Sequence, residues 1–467
     1  MGRLLRALAT WYLKRSSSTP ENLAERRLRA GIAVRQAAGQ SKREASAGIP
    51  MTLTSAQEEA LRLAEGPEPF VFITGRAGSG KSTLIQRLKA LEQIAVCAPT
   101  GIAALNCGGA TLHSTFKMAP RFHDPLHPAP KTVRGLDRLR ILIIDEISMV
   151  RADVLDEVHA TLQYNRNKRG PFGGVKVVVV GDCRQLPPVV TDDEKEAIQG
   201  RYESPWWFDA LCMKGIPIRV VQLTQIHRQK DPDLIELLDK IRTGSVNQST
   251  VTRLNERVYR GLVAPENALI LTARRKEAEN LNRSRLDAIA LPSKTYVADA
   301  TGTMVDVKDD TVPSPRNLEL KEGARAMVTK NHAGAVNGTL GTVMKLLEGS
   351  VLFRADGAAA DVTLTPISWE QYRYELKAGQ FVPEVTGTYK QIPLTYGWAV
   401  TIHKAQGLTL DNVCVDLGNG AFAPGQAYVA LSRSRTMAGL AVRRPLQQRD
   451  FMADPRVNDF QERYELL

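Results

Sequence analysis

Residues 75–82 (GRAGSGKS) restrict this chain to a narrow class of folds, because they fit the pattern G-x4-G-K-[ST]. An apolar run (69–75) precedes them and a helical pattern (83–91) follows, which is the context of a phosphate-binding loop. Glycines let successive backbone N–H groups surround phosphate oxygens, and the helix N-terminus favours an anion. We expect Lys81 to contact the β- and γ-phosphates of ATP and Ser82 to bind Mg²⁺. The residues predicted to contact the nucleotide here are Gly75, Arg76, Ala77, Gly78, Ser79, Gly80, Lys81, Ser82 and Thr83.

The apolar runs of the first half of the chain predict a parallel sheet. They are apolar at consecutive positions, as in central strands that are buried on both faces. Helical or loop segments separate them, which indicates an α/β fold. A second α/β region begins near residue 218, and short alternating strands occupy 345–392. The four runs are 69–75, 94–100, 141–146 and 175–182.

A pair of carboxylates ends one of these runs, at Asp145 and Glu146. The carboxyl end of a buried parallel strand lies at the ligand-binding edge of its sheet. We therefore expect Asp145, with Ser82, to hold Mg²⁺, and Glu146 to orient and deprotonate the attacking water. The two motifs together predict a nucleoside triphosphatase.

The net charge of +12 is concentrated at the N-terminus, since residues 1–50 carry ten basic and three acidic side chains. This basic arm is interpreted as a solvated tail, a mitochondrial transit peptide or an additional DNA tether. Five widely spaced cysteines without a CxxC pair argue against a disulfide framework or zinc site and favour a reducing, intracellular compartment. The apolar runs are too short for a membrane span.

Further motifs follow the phosphate-binding loop in a characteristic order. They resemble those of superfamily-one helicases of the 5′→3′ branch, specifically the PIF family and its RecD-type relatives, over about residues 51–440. The motifs are APTGIAAL (98–105), GATLHS (109–114), GDCRQLPP (181–188), LTQIHR (223–228), VNGTLG (336–341), TIHKAQG (401–407) and YVALSRSR (428–435).

The resemblance implies two RecA-like parallel-sheet domains of the P-loop NTPase class, with a small wedge insertion and a small β-barrel insertion. The first domain is expected at 51–215, with the wedge near 114–135. The second domain is expected at 216–344 and 393–467, and the β-barrel insertion at 345–392.

The resemblance also assigns roles around the nucleotide. Gln57 matches the glutamine that recognises adenine, although a surface glutamine is the alternative. Gln185 matches the sensor of the γ-phosphate, and Arg228 and Arg433 match two arginine fingers, whose guanidinium groups stabilise the transferring phosphoryl group. For Arg435 we expect a surface ion pair. The other positions with expected nucleotide contacts are Gln406 and Gly407.

DNA contacts are implied for loops of both domains, where hydroxyls and amides would hold phosphates without reading sequence. His113 and His403 could equally be structural histidines. The proline- and histidine-rich segment 116–130 is interpreted as the wedge rather than a metal site, and the aromatic run 206–208 as core rather than a base-stacking platform. The residues with implied DNA contacts are Thr100, Gly101, Thr111, His113, Thr401, His403 and Lys404.

The function implied by the resemblance is that of a monomeric, ATP-dependent DNA helicase that moves 5′→3′ on single-stranded DNA. Its partners would be single-stranded DNA and forked or tailed duplex DNA, with no membrane, in genome maintenance. The alternative is a DNA-stimulated translocase that remodels protein–DNA complexes and unwinds weakly. A DNA-binding module with little turnover is disfavoured, because the residues for hydrolysis are present.

Overall fold

The structure, a computed structural model, describes residues 53–464 apart from 227, 259–266 and 378–379. The basic arm, with its transit-peptide and DNA-tether alternatives, lies outside the described residues. Within the described part, no helix has the length and apolar character needed to cross a bilayer. The α-helices are α1 (Ser55–Glu65), α2 (Lys81–Leu88), α3 (Gly101–Cys107), α4 (Leu112–Phe116), α5 (Ala152–Arg166), α6 (Lys195–Gln199), α7 (Pro232–Thr243), α8 (Gln248–Asn255), α9 (Arg275–Asp287), α10 (Gln426–Leu431) and α11 (Pro455–Arg463).

The strands fall into two parallel sheets and a region of antiparallel sheets. Those up to β10 are β1 (Phe70–Gly75), β2 (Ile94–Ala98), β3 (Ala110–Thr111), β4 (Ile141–Ile144), β5 (Lys176–Gly181), β6 (Ile218–Leu223), β7 (Leu269–Thr272), β8 (Ser293–Val297), β9 (Asp299–Gly302) and β10 (Asn317–Lys321). The others are β11 (Arg325–Val328), β12 (Leu340–Leu347), β13 (Ser350–Ala355), β14 (Val362–Leu364), β15 (Ile367–Lys377), β16 (Gln380–Gln391), β17 (Leu394–Tyr396), β18 (Ala399–Thr401), β19 (Val413–Asp416) and β20 (Leu440–Val442).

The first sheet contains the four predicted central strands and has the order β3-β2-β4-β5-β1-β6. All its neighbouring strands are parallel. Phe70 and Phe72 pack into one hydrophobic core, whereas Val71 and Ile73 pack into another. Since alternate residues of β1 enter different cores, both faces of the sheet are covered. The predicted parallel α/β fold is confirmed.

Strand β6 corrects the predicted boundary at residue 216. It pairs in parallel with β1 along its whole length, from Phe70 opposite Ile218 to Gly75 opposite Leu223. It is therefore the edge of the first sheet and not the start of the second domain. Its half-buried pattern suits an edge strand of either sheet, so its local sequence does not reveal its partner.

The aromatic run 206–208 is part of the first hydrophobic core, as predicted. Trp206 and Trp207 are both buried. The ring of Trp207 stacks on Phe70 of β1, with 5.6 Å between the ring centroids. Each tryptophan lies inside the protein, where it is inaccessible to a nucleic acid base.

The C-terminal helix α11 corrects the assignment of 393–467 to the second domain. Its Phe460 stacks on Phe208 with 4.3 Å between the ring centroids, and the indole N–H of Trp206 donates to Asp454 over 2.8 Å. Helix α11 thus packs on the core of the first domain after the chain has completed the second sheet.

The second parallel sheet has the order β18-β7-β19-β20. Its strands are short and buried, and α7, α8 and α10 contribute to the core beside it. Strand β18 ends at Thr401, so the motif TIHKAQG begins at the carboxyl edge of this sheet. That edge is where ligands bind in open parallel sheets.

The inserted β region is larger than predicted, because it extends from Ser293 to Tyr396 and not from 345 to 392. Its sheets are antiparallel and have the orders β14-β13-β12-β11-β17, β15-β16-β9 and β10-β8. The strands before 340 lie in a stretch rich in glycine, proline and asparagine, a composition that predicts loops. Closure of these sheets into a barrel stays a prediction.

The hairpin formed by β15 and β16 reaches from the insertion to the first domain. Tyr374 and Phe381 pack into the first hydrophobic core. The Tyr374 hydroxyl accepts a hydrogen bond of 2.8 Å from the backbone N–H of Val96 on β2. The two-residue strand β3 pairs only with Cys97 and Ala98, so the hairpin occupies the edge of β2 that β3 leaves open.

The segment predicted as a wedge, 114–135, is held against helix α5. Its first residues belong to α4, and 117–135 contain no described helix or strand. The backbone N–H of His123 donates to Asp153 over 3.0 Å, and that of Ala129 donates to Glu157 over 3.3 Å. Buried carboxylates of α5 therefore fix the path of the loop, and its role as a wedge stays a prediction.

Candidate nucleotide and DNA site

The glycine-rich loop connects β1 to α2 and has the backbone of an anion cradle. Gly78 and Gly80 have φ angles of 81° and 86°, in the left-handed region that favours glycine. No side chain caps α2 at Gly80, so the first N–H groups of this helix can bind an anion. The Lys81 ammonium donates to the carbonyl oxygens of Gly75 and Arg76, at 2.6 and 3.0 Å.

The two predicted carboxylates follow β4 as expected. Burial raises the pKa of Asp145 to about 7, and the neighbouring charge of Glu146 contributes to the shift. Burial also raises the pKa of Glu146, against the opposing charge of Lys81. Glu146 has a φ of 51°, which places a non-glycine residue in the left-handed region. Cations that approach this pair stabilise its charged form.

The predicted sensor Gln185 lies after β5 and is buried. Its side-chain amide is 3.5 Å from a carboxylate oxygen of Asp182. Burial disfavours ionisation of Asp182, but the charges of Arg242 and Lys81 outweigh it and lower the pKa of this carboxyl group. Asp182 thus lies beside the Gln185 side chain and interacts electrostatically with Lys81 of the glycine-rich loop.

The two predicted arginine fingers, Arg228 and Arg433, come from chain segments that follow the first sheet. Arg228 packs directly on Gly78, where a Cβ atom would lie 2.3 Å from the Arg228 Cβ. Arg433 is almost completely buried and donates to the Val429 carbonyl over 2.8 Å. Burial lowers the pKa of Arg228 to about 10 and that of Arg433 well below its usual range, with Arg228 adding to the effect.

Other expected nucleotide residues surround the same loop. Gln57 on α1 is buried, contrary to the surface alternative, with its amide 3.5 Å from the Gly80 carbonyl oxygen. The Gln406 amide donates to Glu146 over 3.0 Å. Arg435 forms an exposed ion pair of 3.1 Å with Asp411, which confirms the prediction for that residue.

One large cavity, of about 690 Å³, is lined by Ser82 of the glycine-rich loop and by most of the residues that were predicted to contact DNA. It opens between the two parallel sheets. Its wall includes Ser82, Thr100, Gly101, Asp145, Glu146, Thr401, His403, Lys404, Gln406 and Gly407. Thr111 and His113 are absent from the described wall of this cavity. They lie at the start of helix α4.

The three predicted DNA-contacting threonines share a local geometry. The hydroxyl oxygens of Thr100, Thr111 and Thr401 each accept a bond from the backbone N–H three residues later, at 3.2, 3.1 and 3.2 Å. A hydroxyl that accepts one bond can still donate its proton to a phosphate oxygen. Burial lowers the pKa of both His113 and His403, which favours neutral rings at pH 7.

Comparisons with known proteins show which family the chain resembles. A family model described as PIF1-like helicase matches residues 52–252. The chain is 34% identical over 406 residues to the ATP-dependent DNA helicase PIF1 of Danio rerio, covering 83% of this chain and 59% of the relative. It is 32% identical over 511 residues to the ATP-dependent DNA helicase RRM3 of Saccharomyces cerevisiae, covering 90% and 69%. The chain belongs to the PIF1-like helicase family.

Solved structures show the same relationship. The unliganded Pif1 from Bacteroides sp aligns with a TM-score of 0.82 at 34% identity, covering 89% of this chain and 97% of that one. Bacteroides Pif1 bound to ssDNA aligns with a TM-score of 0.65, at the same identity and coverage. The chain spans about 60% of the length of the first curated relatives that it matches.

The structure of this PIF1-like helicase also reveals site residues that the sequence analysis missed. Arg242 on α7 forms a fully buried ion pair with Asp182, at 3.3 Å. Asp239, also on α7, pairs with Arg76 of the glycine-rich loop at 2.7 Å. The Tyr428 hydroxyl lies 3.5 Å from the N–H of Ala77. Asp182 and Tyr428 stand in recognised motifs, but no local pattern marks Arg242 or Asp239.

Proposed function

We propose that this PIF1-like chain is an ATP-driven DNA helicase that moves 5′→3′ along single-stranded DNA and separates forked or tailed duplexes. The observation that carries the proposal is the cavity of about 690 Å³ between the two sheets. Ser82 and Glu146 line it on the nucleotide side, and Thr100 and Thr401 line it where DNA is expected. A ligand at either place would change the width of the same cleft.

A nucleoside triphosphate such as ATP fits the glycine-rich loop, because hydrogen-bond donors beside the loop have no partner. The Ser79 hydroxyl is buried and has no hydrogen-bond partner among the described residues. The same holds for Nε and Nη1 of Arg228. Buried donors without partners are costly, and phosphate oxygens would satisfy them. The names of the PIF1 and RRM3 relatives describe them as ATP-dependent.

Mg²⁺ fits the oxygen ligands that Ser82 and Asp145 supply in the cavity wall. When bound, this ion would neutralise charge on the β- and γ-phosphates. Lys81 would exchange its two carbonyl partners for phosphate oxygens. Glu146 would orient the attacking water and accept its proton, while Gln185 would sense the γ-phosphate. Arg228 and Arg433 would stabilise the transferring group when the cleft closes.

DNA is proposed to lie across both domains, where the threonine hydroxyls and neutral histidines donate to its phosphates. Thr100 and Gly101 would contact it from the first domain, and Thr401, His403 and Lys404 from the second. The crystal structure of a relative, Bacteroides Pif1, has been solved with bound ssDNA. Alternating affinity of the two domains during hydrolysis would move the strand stepwise. Thr111 and His113 would contact DNA outside the cavity.

The second candidate is a translocase that displaces proteins and unwinds weakly. The observation that favours it is the wedge segment, which contains no described helix or strand from 117 to 135 and is held against α5 by Asp153 and Glu157. A forked duplex assayed beside ATP hydrolysis separates the two functions. A helicase separates the strands, whereas a translocase shows DNA-stimulated hydrolysis with little separation.

We also propose that the chain is a monomer and that it acts in a reducing, intracellular compartment. The process that it serves would be genome maintenance. All five cysteines are free, and four of them are buried. Free thiols are typical of proteins kept reduced. Size-exclusion chromatography with light scattering tests the monomer, and deletion of 1–50 tests whether the arm tethers DNA or directs the chain to mitochondria.

A further inference from the structure

The segment from Thr401 to Leu408 is a single tight turn that leads from the proposed DNA contacts to the nucleotide site. The Lys404 N–H donates to the Thr401 hydroxyl, the Ala405 N–H donates to the Thr401 carbonyl over 3.0 Å, and the Leu408 N–H donates to the Ala405 carbonyl over 3.0 Å. The proposed DNA contact His403 lies three residues before Gln406, and its carbonyl accepts a hydrogen bond of 3.2 Å from the Gln406 N–H.

The far end of this turn engages three groups that the proposed reaction needs. The Gln406 amide donates to the Glu146 carboxylate over 3.0 Å. Arg228 donates to the Gly407 carbonyl over 2.9 Å, and Arg433 donates to the Leu408 carbonyl over 3.3 Å. The glutamate and both arginine fingers are thus bound to consecutive residues of one turn.

We infer that Gln406 is a positioning residue that restrains Glu146 until single-stranded DNA binds the turn at Thr401–Lys404. The inference rests on the proposed function and adds the way in which DNA would stimulate hydrolysis. A general base must lie within hydrogen-bond reach of its water. A carboxylate oxygen that already accepts the Gln406 amide is oriented toward the second domain, and its water must compete with this bond.

The orientation of the Glu146 carboxylate depends on its contact with Gln406. The Glu146 backbone lies in the left-handed region, with a φ of 51°, two residues after the end of the buried strand β4. Among the described residues, the Gln406 amide donates the side-chain hydrogen bond that reaches the Glu146 carboxylate from the other side of the cleft. Movement of the turn by DNA would break this bond and leave the carboxylate free to bind water.

The test is the substitution Gln406→Met, which keeps the length of the side chain and removes its donor. ATP hydrolysis is measured at steady state with the full chain, with and without a saturating oligo-dT strand. We expect kcat without DNA to rise about tenfold, the order expected for loss of one hydrogen bond to a charged group. The stimulation by DNA, which is the ratio of kcat with DNA to kcat without it, should fall, and KM for ATP should change less than kcat without DNA.

Gln406→Glu gives a second variant, which replaces the donor with a like charge and should raise kcat without DNA in the same way. The matched control is Gln163→Met on α5, whose amide donates to the Gly170 carbonyl over 2.9 Å and should leave both rates unchanged. A fall in kcat or no change without DNA in both Gln406 variants would overturn the inference alone. Absence of DNA stimulation in the unsubstituted chain would overturn the proposed function as well.

Discussion

The hydroxyl of Tyr374 in the inserted β region accepts a hydrogen bond from the backbone N–H of Val96 in the first parallel sheet, over 2.8 Å. These residues lie 278 positions apart in the chain. Both are buried, so neither group has water as an alternative partner. The bond ties the insertion to the edge of the sheet that carries the nucleotide loop.

Tyr374→Phe should therefore destabilise the protein. It leaves the buried Val96 N–H without its acceptor, and such a group costs about 1–3 kcal/mol. The control is Tyr372→Phe on the same strand, whose hydroxyl donates to the exposed Glu370. Urea unfolding of the full chain measures both variants. Equal stability of the two would show that the Val96 bond contributes nothing.

Arg242→Met should have a larger effect on stability. Asp182 has no exposed surface and pairs with Arg242 at 3.3 Å. Removing one partner of a buried ion pair costs about 3–5 kcal/mol, because a charge is left buried. The exposed pair of Arg253 and Asp233 supplies the control Arg253→Met, which should change little. A stable Arg242→Met protein with unaltered urea unfolding contradicts this account of the pair.

Arg433→Lys should abolish most ATP hydrolysis while ATP still binds. Lysine keeps the charge but lacks the planar set of donors that suits a phosphoryl group, and loss of an arginine finger lowers kcat by about 10³-fold or more. Arg435→Lys is the control, because Arg435 forms an exposed ion pair with Asp411. If Arg433→Lys retained more than about a tenth of kcat, Arg433 would not be an arginine finger.

The cysteines should resist alkylation in the folded protein. Burial raises the pKa of Cys97, Cys107 and Cys183 to about 12. A raised pKa lowers the thiolate fraction, by about a thousandfold at pH 8 relative to the usual value of 9.0. Iodoacetamide labelling followed by mass spectrometry should be far faster in urea than in buffer. Rapid native labelling at these three positions would contradict their burial.

The parts of the fold that sequence analysis predicted correctly are those with local patterns. The strands β1, β2, β4 and β5 are continuous apolar runs, and the glycine-rich loop has fixed spacing between a strand and a helix. Asp145 and Glu146 come directly after β4, so the sequence also placed them at the carboxyl edge of the first sheet. Each of these features depends on neighbours within a few residues.

The features that could not be predicted depend on contacts between distant parts of the chain. The pattern of β6 does not specify whether it joins β1 or β7. Nothing in 455–463 indicates packing on the aromatic residues 206–208. The Asp182–Arg242 pair joins a known motif to an arginine that looks like an ordinary helix residue. The bond between Glu146 and Gln406 likewise required the two domains to be placed together.

Strand separation on duplexes with a single tail of either polarity tests the central claim most directly. The full chain is mixed with ATP, Mg²⁺ and duplexes that carry either a 5′ or a 3′ single-stranded tail, with Lys81→Ala as the control. We predict separation of the 5′-tailed duplex alone, and none by Lys81→Ala. Separation of the 3′-tailed duplex, or of neither while single-stranded DNA stimulates hydrolysis, would contradict a 5′→3′ helicase.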